Sequence, residues 1–277
     1  MKIAAAQMMA TSDIEQNFAT CKALVEKASQ QGVRLLSLPE CFAFIGEKKE
    51  DLLSFMRPID SPLVKRYCGL AKEYGLWLSL GGLQEKATNT CSQNAHLLID
   101  EKGEIRKIYR KLHLFDVDIP GGPRLMESDS AKGGDAVVVT DSPLGKLGLC
   151  ICYDLRFAEQ FLVSRMLGAE IILVPAAFTA TTGKAHWEVL LRARAIETQC
   201  YIVAAAQVGN HNAKRKSHGD AMVVDPWGQV ISRCGEGSGL AIAEIDLEYL
   251  REVRTRMPVM EHRRSDVYGT LKVERSN

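Results

Sequence analysis

Apolar and polar positions near the N-terminus follow a strand-helix-strand pattern. An apolar segment at residues 3–8 predicts a strand. A helical pattern then begins at Asp13, whose carboxylate can cap the first turn, and ends at Gly32. A second apolar strand is predicted over residues 33–38. These segments predict a first β-α-β unit.

The following segments repeat this pattern. Ser61 and Pro62 suit the N-cap and first position of a second helix, and Gly75 suits its end. An apolar strand is predicted over residues 76–83. The first part of the chain is therefore predicted to be β-α-β-α-β.

Hairpins interrupt the helical alternation further along the chain. Turn residues between apolar runs predict hairpins over residues 94–110, 136–151 and 221–234. The intervening segments predict helices over residues 157–167 and 185–198, and strands over residues 171–174 and 201–206. Mixed strands with helices outside them predict a layered α/β sandwich. No proline- or serine-rich linker divides the chain, so we expect one domain over residues 1–277.

Composition argues against several classes of protein. The chain has 277 residues, 46% hydrophobic and 25% charged, so it can bury a large core. A formal net charge of +1 provides no long-range field to recruit nucleic acid or an anionic membrane. The basic run at residues 214–216 is interpreted as an exposed loop rather than a binding patch.

Export and membrane insertion are not expected. The N-terminal strand pattern lacks the apolar region of a signal peptide, and no later stretch approaches about 18 uncharged apolar residues. The eight cysteines have no regular spacing, which is typical of reduced thiols rather than disulfides. We therefore expect a cytoplasmic location, with no membrane or nucleic-acid partner.

Cys152 ends an apolar strand at the point where a helical pattern begins. Such an elbow exposes a nucleophile, aims backbone N–H groups at the reacting carbonyl and lowers a thiol pKa through the helix N-terminus. The alternative is that Cys150 and Cys152 are both buried strand residues, since cysteine behaves as a small hydrophobe. No second Cys or His pair lies at a metal-ligand spacing, so neither a metal nor a cofactor is expected.

Three charged residues occupy positions where chemistry could occur. Glu40 follows the second predicted strand, at the edge where open α/β sheets hold ligands. Lys111 follows the strand of the first hairpin, and Glu127 lies in a loop whose glycines, Gly121 and Gly122 among them, permit close backbone approach. Taken singly, each is better explained as an ordinary solvated or capping residue.

Read together, three segments resemble the signature segments of the nitrilase superfamily. They are LPE at residues 38–40, YRKLHLFD at residues 109–116 and CYDLRF at residues 152–157. The resemblance runs almost end to end and is greatest to the Nit branch, because HWEVLLRARAIETQ at residues 186–199 and MVVDPWG at residues 222–228 match that branch. It implies a four-layer α-β-β-α sandwich, usually dimerised.

The resemblance also implies roles for individual residues. Cys152 would be the nucleophile, Glu40 the general base, Lys111 the cation that stabilises the oxyanion, and Glu127 its support. A base that must both accept and return a proton needs a pKa near neutrality, so we expect a poorly hydrated pocket around Glu40. The backbone N–H of Tyr153 is the expected second oxyanion donor.

The implied reaction is hydrolysis of a small-molecule amide through a cysteine thioester. For the Nit branch the substrate is deaminated glutathione, which would yield 2-oxoglutarate and Cys-Gly. Arg156 is the candidate for the 2-oxo acid carboxylate, because a guanidinium binds a carboxylate bidentately. Pairing of Arg156 with Glu159 or Asp154 is the alternative. By analogy, Phe178 and Thr179 would line the same pocket, while Tyr153 would also contact substrate.

Other readings stay open on the sequence alone. An omega-amidase acting on 2-oxoglutaramate or 2-oxosuccinamate would use the same residues. A papain-like Cys-His hydrolase would need one of the histidines, for which His113, His186 and His218 have no distinguishing context. A non-catalytic scaffold or binding module of the same fold is the third alternative. The chain departs from the branch at Asp220, where a histidine or asparagine commonly follows the glycine.

Overall fold

Two β-sheets face each other in the computed structural model, which describes residues 1–118 and 124–271 apart from the side chain of Lys49. Gly121 and Gly122 lie outside these residues. The strands are β1 (Lys2–Met8), β2 (Val33–Leu38), β3 (Trp77–Lys86), β4 (Ser92–Ile99), β5 (Ile105–Arg110), β6 (Asp116–Asp118), β7 (Arg124–Met126), β8 (Val138–Thr140), β9 (Leu147–Leu149), β10 (Ile171–Leu173), β11 (Tyr201–Ala204), β12 (Ala206–Asn210), β13 (Lys216–His218), β14 (Met222–Val224), β15 (Val230–Arg233) and β16 (Gly239–Glu244).

Helices flank the two sheets. They are α1 (Ile14–Gln30), α2 (Lys49–Phe55), α3 (Pro62–Tyr74), α4 (Ala158–Met166), α5 (Ala180–Thr198), α6 (Leu247–Arg256) and α7 (Ser265–Tyr268), with 3-10 turns at Glu127–Asp129 and Cys152–Arg156. Within the described part of the chain, no helix has both the length and the apolar character needed to cross a membrane.

The first sheet has the strand order β13-β12-β1-β2-β3-β4-β5, and β16 pairs with β1. Strands β1, β2 and β3 are parallel, whereas β3, β4 and β5 form an antiparallel meander. The second sheet has the order β15-β14-β11-β10-β9-β8, with β9, β10 and β11 parallel. Strands β6 and β7 form a separate two-stranded ribbon.

Alternation along the strands assigns each side chain to one of two apolar layers. On β1, Ile3 and Ala5 point towards the second sheet, and Ala4 points towards α1 and α3. The far side of the second sheet is covered by α4 and α5, which contribute Phe161 and Trp187. The arrangement is the four-layer α-β-β-α sandwich that was predicted.

Local signals set the helix ends as predicted. The Asp13 carboxylate accepts a hydrogen bond from the Gln16 N–H at 2.9 Å and caps α1. Ser61 is the N-cap of α3 and Pro62 its first residue, and Gly75 ends that helix with a left-handed φ of 63°. The three predicted hairpins are also present as β4-β5, β8-β9 and β14-β15.

The predicted strand over residues 201–206 was wrong in one respect. It is two strands in different sheets, because β11 pairs with β10 in the second sheet and β12 pairs with β1 in the first. The change of sheet occurs at Ala205. All of these residues are buried, so the apolar run continues through the crossover and the hydrophobic pattern cannot reveal it.

Helix α5 begins at Ala180, five residues before the predicted start at Ala185. Its first turn contains threonines and Gly183, which disfavour a helix. Gly183 packs against His218 so closely that a Cβ there would lie 2.3 Å from the His218 Cβ. Tertiary packing therefore sets this end of the helix.

Candidate active site

Glu40 lies two residues beyond β2 and is 5% exposed. Its Oε1 accepts a hydrogen bond from Asn94 Nδ2 at 2.9 Å, and its Oε2 accepts one from the Ala177 N–H at 3.0 Å. Gly82 makes room for this carboxylate, since it has a φ of +87° and a Cβ there would lie 2.8 Å from Glu40 Cγ. The base candidate is thus held by β4 of the first sheet and by the segment between β10 and α5.

Lys111 directly follows β5 and is 2% exposed. Its Nζ lies 3.3 Å from Glu40 Oε1 and 2.7 Å from Glu127 Oε2. A buried ammonium is stable only with such partners, because desolvation strongly penalises an isolated charge. Lys111 therefore lies between the two carboxylates.

Glu127 begins the 3-10 turn that follows β7. Its Oε2 accepts a hydrogen bond from the Phe115 N–H at 2.7 Å as well as from Lys111. Its Oε1 lies 3.4 Å from Asn94 Nδ2, so that one amide contacts both glutamates. The loop of Glu127 is thereby joined to the segment that follows Lys111.

Cys152 begins the 3-10 turn after β9 and has a left-handed φ of +48°. Its backbone N–H donates to the Pro175 carbonyl at 2.9 Å, and its thiol is hydrogen-bonded to the Glu40 carboxylate. The N–H of Tyr153 belongs to the first turn, where backbone donors have no partner within the helix. The Cys152 thiol, the Glu40 carboxylate and the Tyr153 N–H therefore lie close together.

Electrostatics locate the proton of the Cys152–Glu40 pair on the thiol. Burial and the adjacent Glu40 charge raise the pKa of Cys152 well above its ordinary value. Burial also raises the pKa of Glu40, but the Lys111 charge and hydrogen bonds from Cys152 and Asn94 outweigh it and leave that pKa below the ordinary value. The paired carboxylates overcome burial and keep the pKa of Lys111 well above its usual range.

Two expectations about these groups were therefore wrong. The thiol pKa is not lowered by a helix N-terminus, because Cys152 begins a short 3-10 turn and α4 starts only at Ala158. The pKa of Glu40 is not raised towards neutrality, because Lys111 compensates for its burial. Glu40 is a carboxylate facing a neutral thiol.

Arg156 lies at the end of the same 3-10 turn, and neither of the pairs considered for it is formed. Its Nη1 lies 3.1 Å from His186 Nδ1, and its guanidinium stands over the rings of Phe178 and Tyr153 at 5.3 and 5.9 Å. Within the described ranges, no ion pair joins Arg156 to Glu159 or Asp154. The Arg156 charge is thus available to a ligand.

Thr179 and Phe178 precede α5. The Thr179 hydroxyl is hydrogen-bonded to the Thr182 hydroxyl at 2.8 Å, so it serves the first turn of the helix. Phe178 is buried against Trp187, with ring centroids 5.0 Å apart. Of the four proposed substrate contacts, Phe178, Tyr153 and Arg156 form one group, while Thr179 has a local partner.

Asn94 and Asp154 are parts of the site that sequence reasoning missed. Asn94 points inward from β4 and contacts Glu40 and Glu127, which strand alternation could have indicated. Asp154 is fully buried two residues after Cys152, and its carboxylate accepts four hydrogen bonds. The available signal was an acidic residue two positions after the candidate nucleophile, directly following an apolar strand.

Arg215 is a further missed residue. It belongs to the basic run that was interpreted as an exposed loop, and its side chain does keep solvent exposure. Its guanidinium nevertheless interacts with the Cys41 thiol, and its positive charge acts on Glu40 and Cys152. The run therefore contributes one cation to the surroundings of Glu40 and Cys152.

Histidines do not provide a base for Cys152. His113 is bonded to Asp154 at 2.8 Å and stacked on Phe157, and His186 is bonded to Arg156. His218 lies 4.0 Å from Asp220. Among the residues that the structure describes, no histidine forms a hydrogen bond with the Cys152 thiol, so the Cys-His alternative lacks its pair.

The sequence departs from the Nit branch at Asp220, but the aspartate suits the backbone conformation at this position. It has a left-handed φ of +66°, which aspartate, asparagine and histidine adopt more readily than most residues. Its carbonyl accepts a hydrogen bond from Trp187 Nε1 at 2.7 Å, and its carboxylate pairs with Arg233 at 3.0 Å. The aspartate therefore fits this position.

Known proteins resemble this chain in both sequence and fold. A family model described as carbon-nitrogen hydrolase matches residues 2–255. A human protein named deaminated glutathione amidase is 49% identical over 274 residues, which are 97% of this chain and 84% of that protein. The crystal structure of the C. elegans NitFhit protein matches the whole chain and 68% of its own, with a TM-score of 0.94 and 47% identity. Saccharomyces cerevisiae Nit3, a member of branch 10 of the nitrilase superfamily, matches with a TM-score of 0.85 and 28% identity, covering 95% of this chain and 96% of its own.

Proposed function

The chain belongs to the carbon-nitrogen hydrolase family of the nitrilase superfamily, and we propose that it hydrolyses deaminated glutathione to 2-oxoglutarate and Cys-Gly. As a member of that family it is a hydrolase of carbon-nitrogen bonds in linear amides. The observation that carries the proposed mechanism is the thiol of Cys152 hydrogen-bonded to Glu40, which Lys111 keeps ionised.

The first half of the reaction forms the thioester. Glu40 accepts the Cys152 proton as sulfur attacks the amide carbon. The developing oxyanion is stabilised by Lys111 Nζ and the Tyr153 N–H, and one such donor is typically worth about 3 kcal/mol. As the C–N bond breaks, protonated Glu40 gives its proton to the departing nitrogen.

The second half returns the enzyme to its starting state. Glu40 accepts a proton from water, and the resulting hydroxide adds to the thioester carbon. The C–S bond then breaks, and the Cys152 sulfur recovers the proton that Glu40 holds. One amide and one water thus give one carboxylic acid and one amine, with no net change in the protein.

Glu127 supports this cycle without exchanging protons itself. Its contact with Lys111 is the shorter of the two carboxylate contacts, 2.7 Å against 3.3 Å for Glu40. Lys111 therefore keeps a partner when Glu40 becomes protonated during the reaction. This arrangement avoids an unpaired buried charge at either stage.

The acyl part of the substrate is assigned to the Arg156 side of the pocket. Arg156 offers a guanidinium free of acidic partners within the described ranges, above the rings of Phe178 and Tyr153. A 2-oxo acid carboxylate can bind this guanidinium, and aromatic rings can cover the short carbon chain. Thr179, directly before α5, is a further proposed substrate contact, although its hydroxyl is already hydrogen-bonded to Thr182. Cys152 is the proposed catalytic residue, with Glu40, Lys111 and Glu127.

We also propose a homodimer of one-domain chains. The outer surface of α5 and the neighbouring β14-β15 hairpin exposes apolar side chains, namely Val189, Ile196, Trp227 and Ile231. Burying such a surface is favourable, and a two-fold axis would bring copies of it together. A cytoplasmic location is supported by the free thiols of the described cysteines. Light scattering of the purified protein tests the dimer.

A substrate panel with a trapped intermediate tests the proposed function. Purified protein is offered deaminated glutathione, 2-oxoglutaramate, 2-oxosuccinamate and simple nitriles, and acyl adducts are sought by mass spectrometry. We expect the highest kcat/KM with deaminated glutathione and an acyl adduct on Cys152. Cys152→Ala should abolish both, whereas Cys150→Ala, at the neighbouring buried thiol, should keep the adduct.

Other outcomes identify the alternatives. Preference for 2-oxoglutaramate or 2-oxosuccinamate would replace the proposal with an omega-amidase. No turnover of any amide by a folded protein would indicate a scaffold, and turnover of nitriles alone would exclude an amidase.

A further inference from the structure

The turn between β12 and β13 is tightly anchored beside the active site. His211 Nδ1 lies 2.8 Å from the Ala10 carbonyl, and its Nε2 lies 2.8 Å from the Ser217 hydroxyl. Asn212 Oδ1 accepts the backbone N–H groups of Lys214 and Arg215, each at 2.9 Å. The backbone that carries Arg215 is therefore held from several sides.

The guanidinium of Arg215 interacts with the Cys41 thiol. Within residues 1–118 and 124–271, no carboxylate forms an ion pair with it. Its neighbour Cys41 cannot supply a negative charge at neutral pH, since burial raises the pKa of that thiol to about 11. An arginine held beside a buried site with an unmatched charge is suited to bind an anion.

The proposed substrate carries two such anions. Deaminated glutathione has a 2-oxo acid carboxylate on its acyl part and a glycine carboxylate on the departing dipeptide. The site has two arginines without acidic partners among the described residues, Arg156 on the turn of Cys152 and Arg215 on the β12-β13 turn. The number of free guanidiniums thus equals the number of substrate carboxylates.

Resting on the proposed function, we propose that Arg215 binds the glycine carboxylate of the departing Cys-Gly group and so selects an amide with an acidic amine part. The departing Cys-Gly group is assigned to the Arg215 side because Glu40 delivers the proton to the departing nitrogen. Arg215 lies against Cys41, the residue next to Glu40, whereas Arg156 lies against Phe178 and Tyr153. The departing amine therefore faces Arg215.

A double-mutant cycle between protein and substrate tests this pairing. Wild-type protein and Arg215→Gln are each assayed with deaminated glutathione and with its analogue carrying a terminal carboxamide in place of the glycine carboxylate. Removing either charge should lower kcat/KM by about tenfold to a hundredfold, mainly through KM. Removing both should cause little further loss, because the interaction is already absent. Arg215→Lys should recover part of the activity.

Lys214→Gln is the matched control, because it removes the same charge from the adjacent position of the same turn. We expect it to retain wild-type kcat/KM. Equal losses for the acid and the carboxamide in Arg215→Gln, or an equal loss in Lys214→Gln, would overturn the pairing. A wild-type protein that does not hydrolyse deaminated glutathione would instead overturn the proposed function, and the inference with it. Thermal unfolding of each variant verifies that the turn is intact.

Discussion

The hydroxyl of Tyr109 donates a hydrogen bond to the carboxylate of Asp154 at 2.6 Å in the buried interior. Tyr109 lies two residues before Lys111, and Asp154 lies two residues after Cys152. The same Asp154 oxygen accepts the Ile151 N–H at 2.8 Å. One carboxylate thus joins the strand that carries the cation to the turn that carries the thiol.

The direction of this hydrogen bond is determined by the other contacts of Tyr109. Its hydroxyl oxygen accepts the Leu112 N–H and the Gln160 side-chain amide, each at 3.0 Å. Both acceptor sites are occupied, so the hydroxyl proton must go to Asp154. The other Asp154 oxygen faces the His113 backbone N–H at 3.1 Å and its ring Nδ1 at 2.8 Å. Only an acceptor satisfies all of these donors.

Replacement of Asp154 by asparagine should therefore impair both stability and catalysis. The amide would place an N–H₂ group against existing donors, which we expect to cost about 2 to 4 kcal/mol of unfolding free energy. The displaced turn should lower kcat by about tenfold or more. Tyr109→Phe removes one donor to Asp154 and the acceptor of the Leu112 N–H and the Gln160 amide, but it places no donor against another, so it should have a smaller effect on both. Urea unfolding and steady-state kinetics measure the two quantities, and an unchanged kcat in folded Asp154→Asn would refute the positioning role.

Lys111→Met should leave Glu40 and Glu127 without their shared cation. A buried charge deprived of its partner typically costs about 3 to 5 kcal/mol, and losing the oxyanion donor should lower kcat/KM at least about a hundredfold. Denaturant unfolding and amide hydrolysis provide the measurements. Adding Glu127→Gln to this variant should restore part of the stability but no activity. A stable Lys111→Met protein with full activity would exclude this role.

The left-handed backbone of Cys152 predicts an unusual stability order. With φ at +48°, alanine at this position should be strained, whereas glycine adopts that region freely. We expect Cys152→Gly to be more stable than Cys152→Ala by about 1 kcal/mol, although both lack activity. Thermal unfolding of the pair tests this, and a more stable alanine variant would argue against strain at the nucleophile.

The pH dependence of kcat/KM should show no acid limb near neutrality. The active form needs ionised Glu40, whose pKa lies below its ordinary value, and neutral Cys152, whose pKa lies well above its own. Activity should thus be nearly constant from about pH 6 to 8 and fall only on the acid side of the ordinary range of a glutamate carboxyl, as Glu40 is protonated. A pH-rate profile with an acid limb between about pH 6 and 7 would contradict this assignment.

The same pKa shifts predict a stability profile. Because the folded pKa of Glu40 is depressed, its contribution is present above the unfolded pKa and is lost as pH falls through the folded pKa. Because the pKa of Lys111 is raised, its contribution is present below the unfolded pKa and is lost only as pH rises through the folded pKa. Circular dichroism over the pH range of the assay separates unfolding from loss of the base.

Several features of the site followed directly from local sequence patterns. Glu40, Lys111 and Cys152 each lie within about three residues of the end of a strand, and strand ends of a layered α/β protein meet at shared edges. The resemblance of the three surrounding segments then indicated that they act together. Asn94, by contrast, is one polar position in a strand, and its pattern does not indicate which residues it contacts.

Arg215 illustrates why other features of the site and fold could not be predicted without the tertiary structure. Its sequence context is a basic run, which is most often a solvated loop, and only the anchoring of the β12-β13 turn brings its charge near Glu40. Similarly, the apolar run at residues 201–206 gave no sign that β11 and β12 belong to different sheets. A hydrophobic pattern in the sequence predicts that a side chain is buried, but it does not predict which residues it contacts.

The sequence by itself determined the alternation of strands and helices, the caps of α1 and α3, and the residue types available for amide chemistry. These depend on neighbours a few residues apart, where helix and strand periods are visible. Only the tertiary structure decided where the protons lie, how Asp154 joins two segments, and which arginines lack acidic partners. These depend on desolvation and on contacts between distant residues, such as Glu40 and Lys111, which are 71 positions apart.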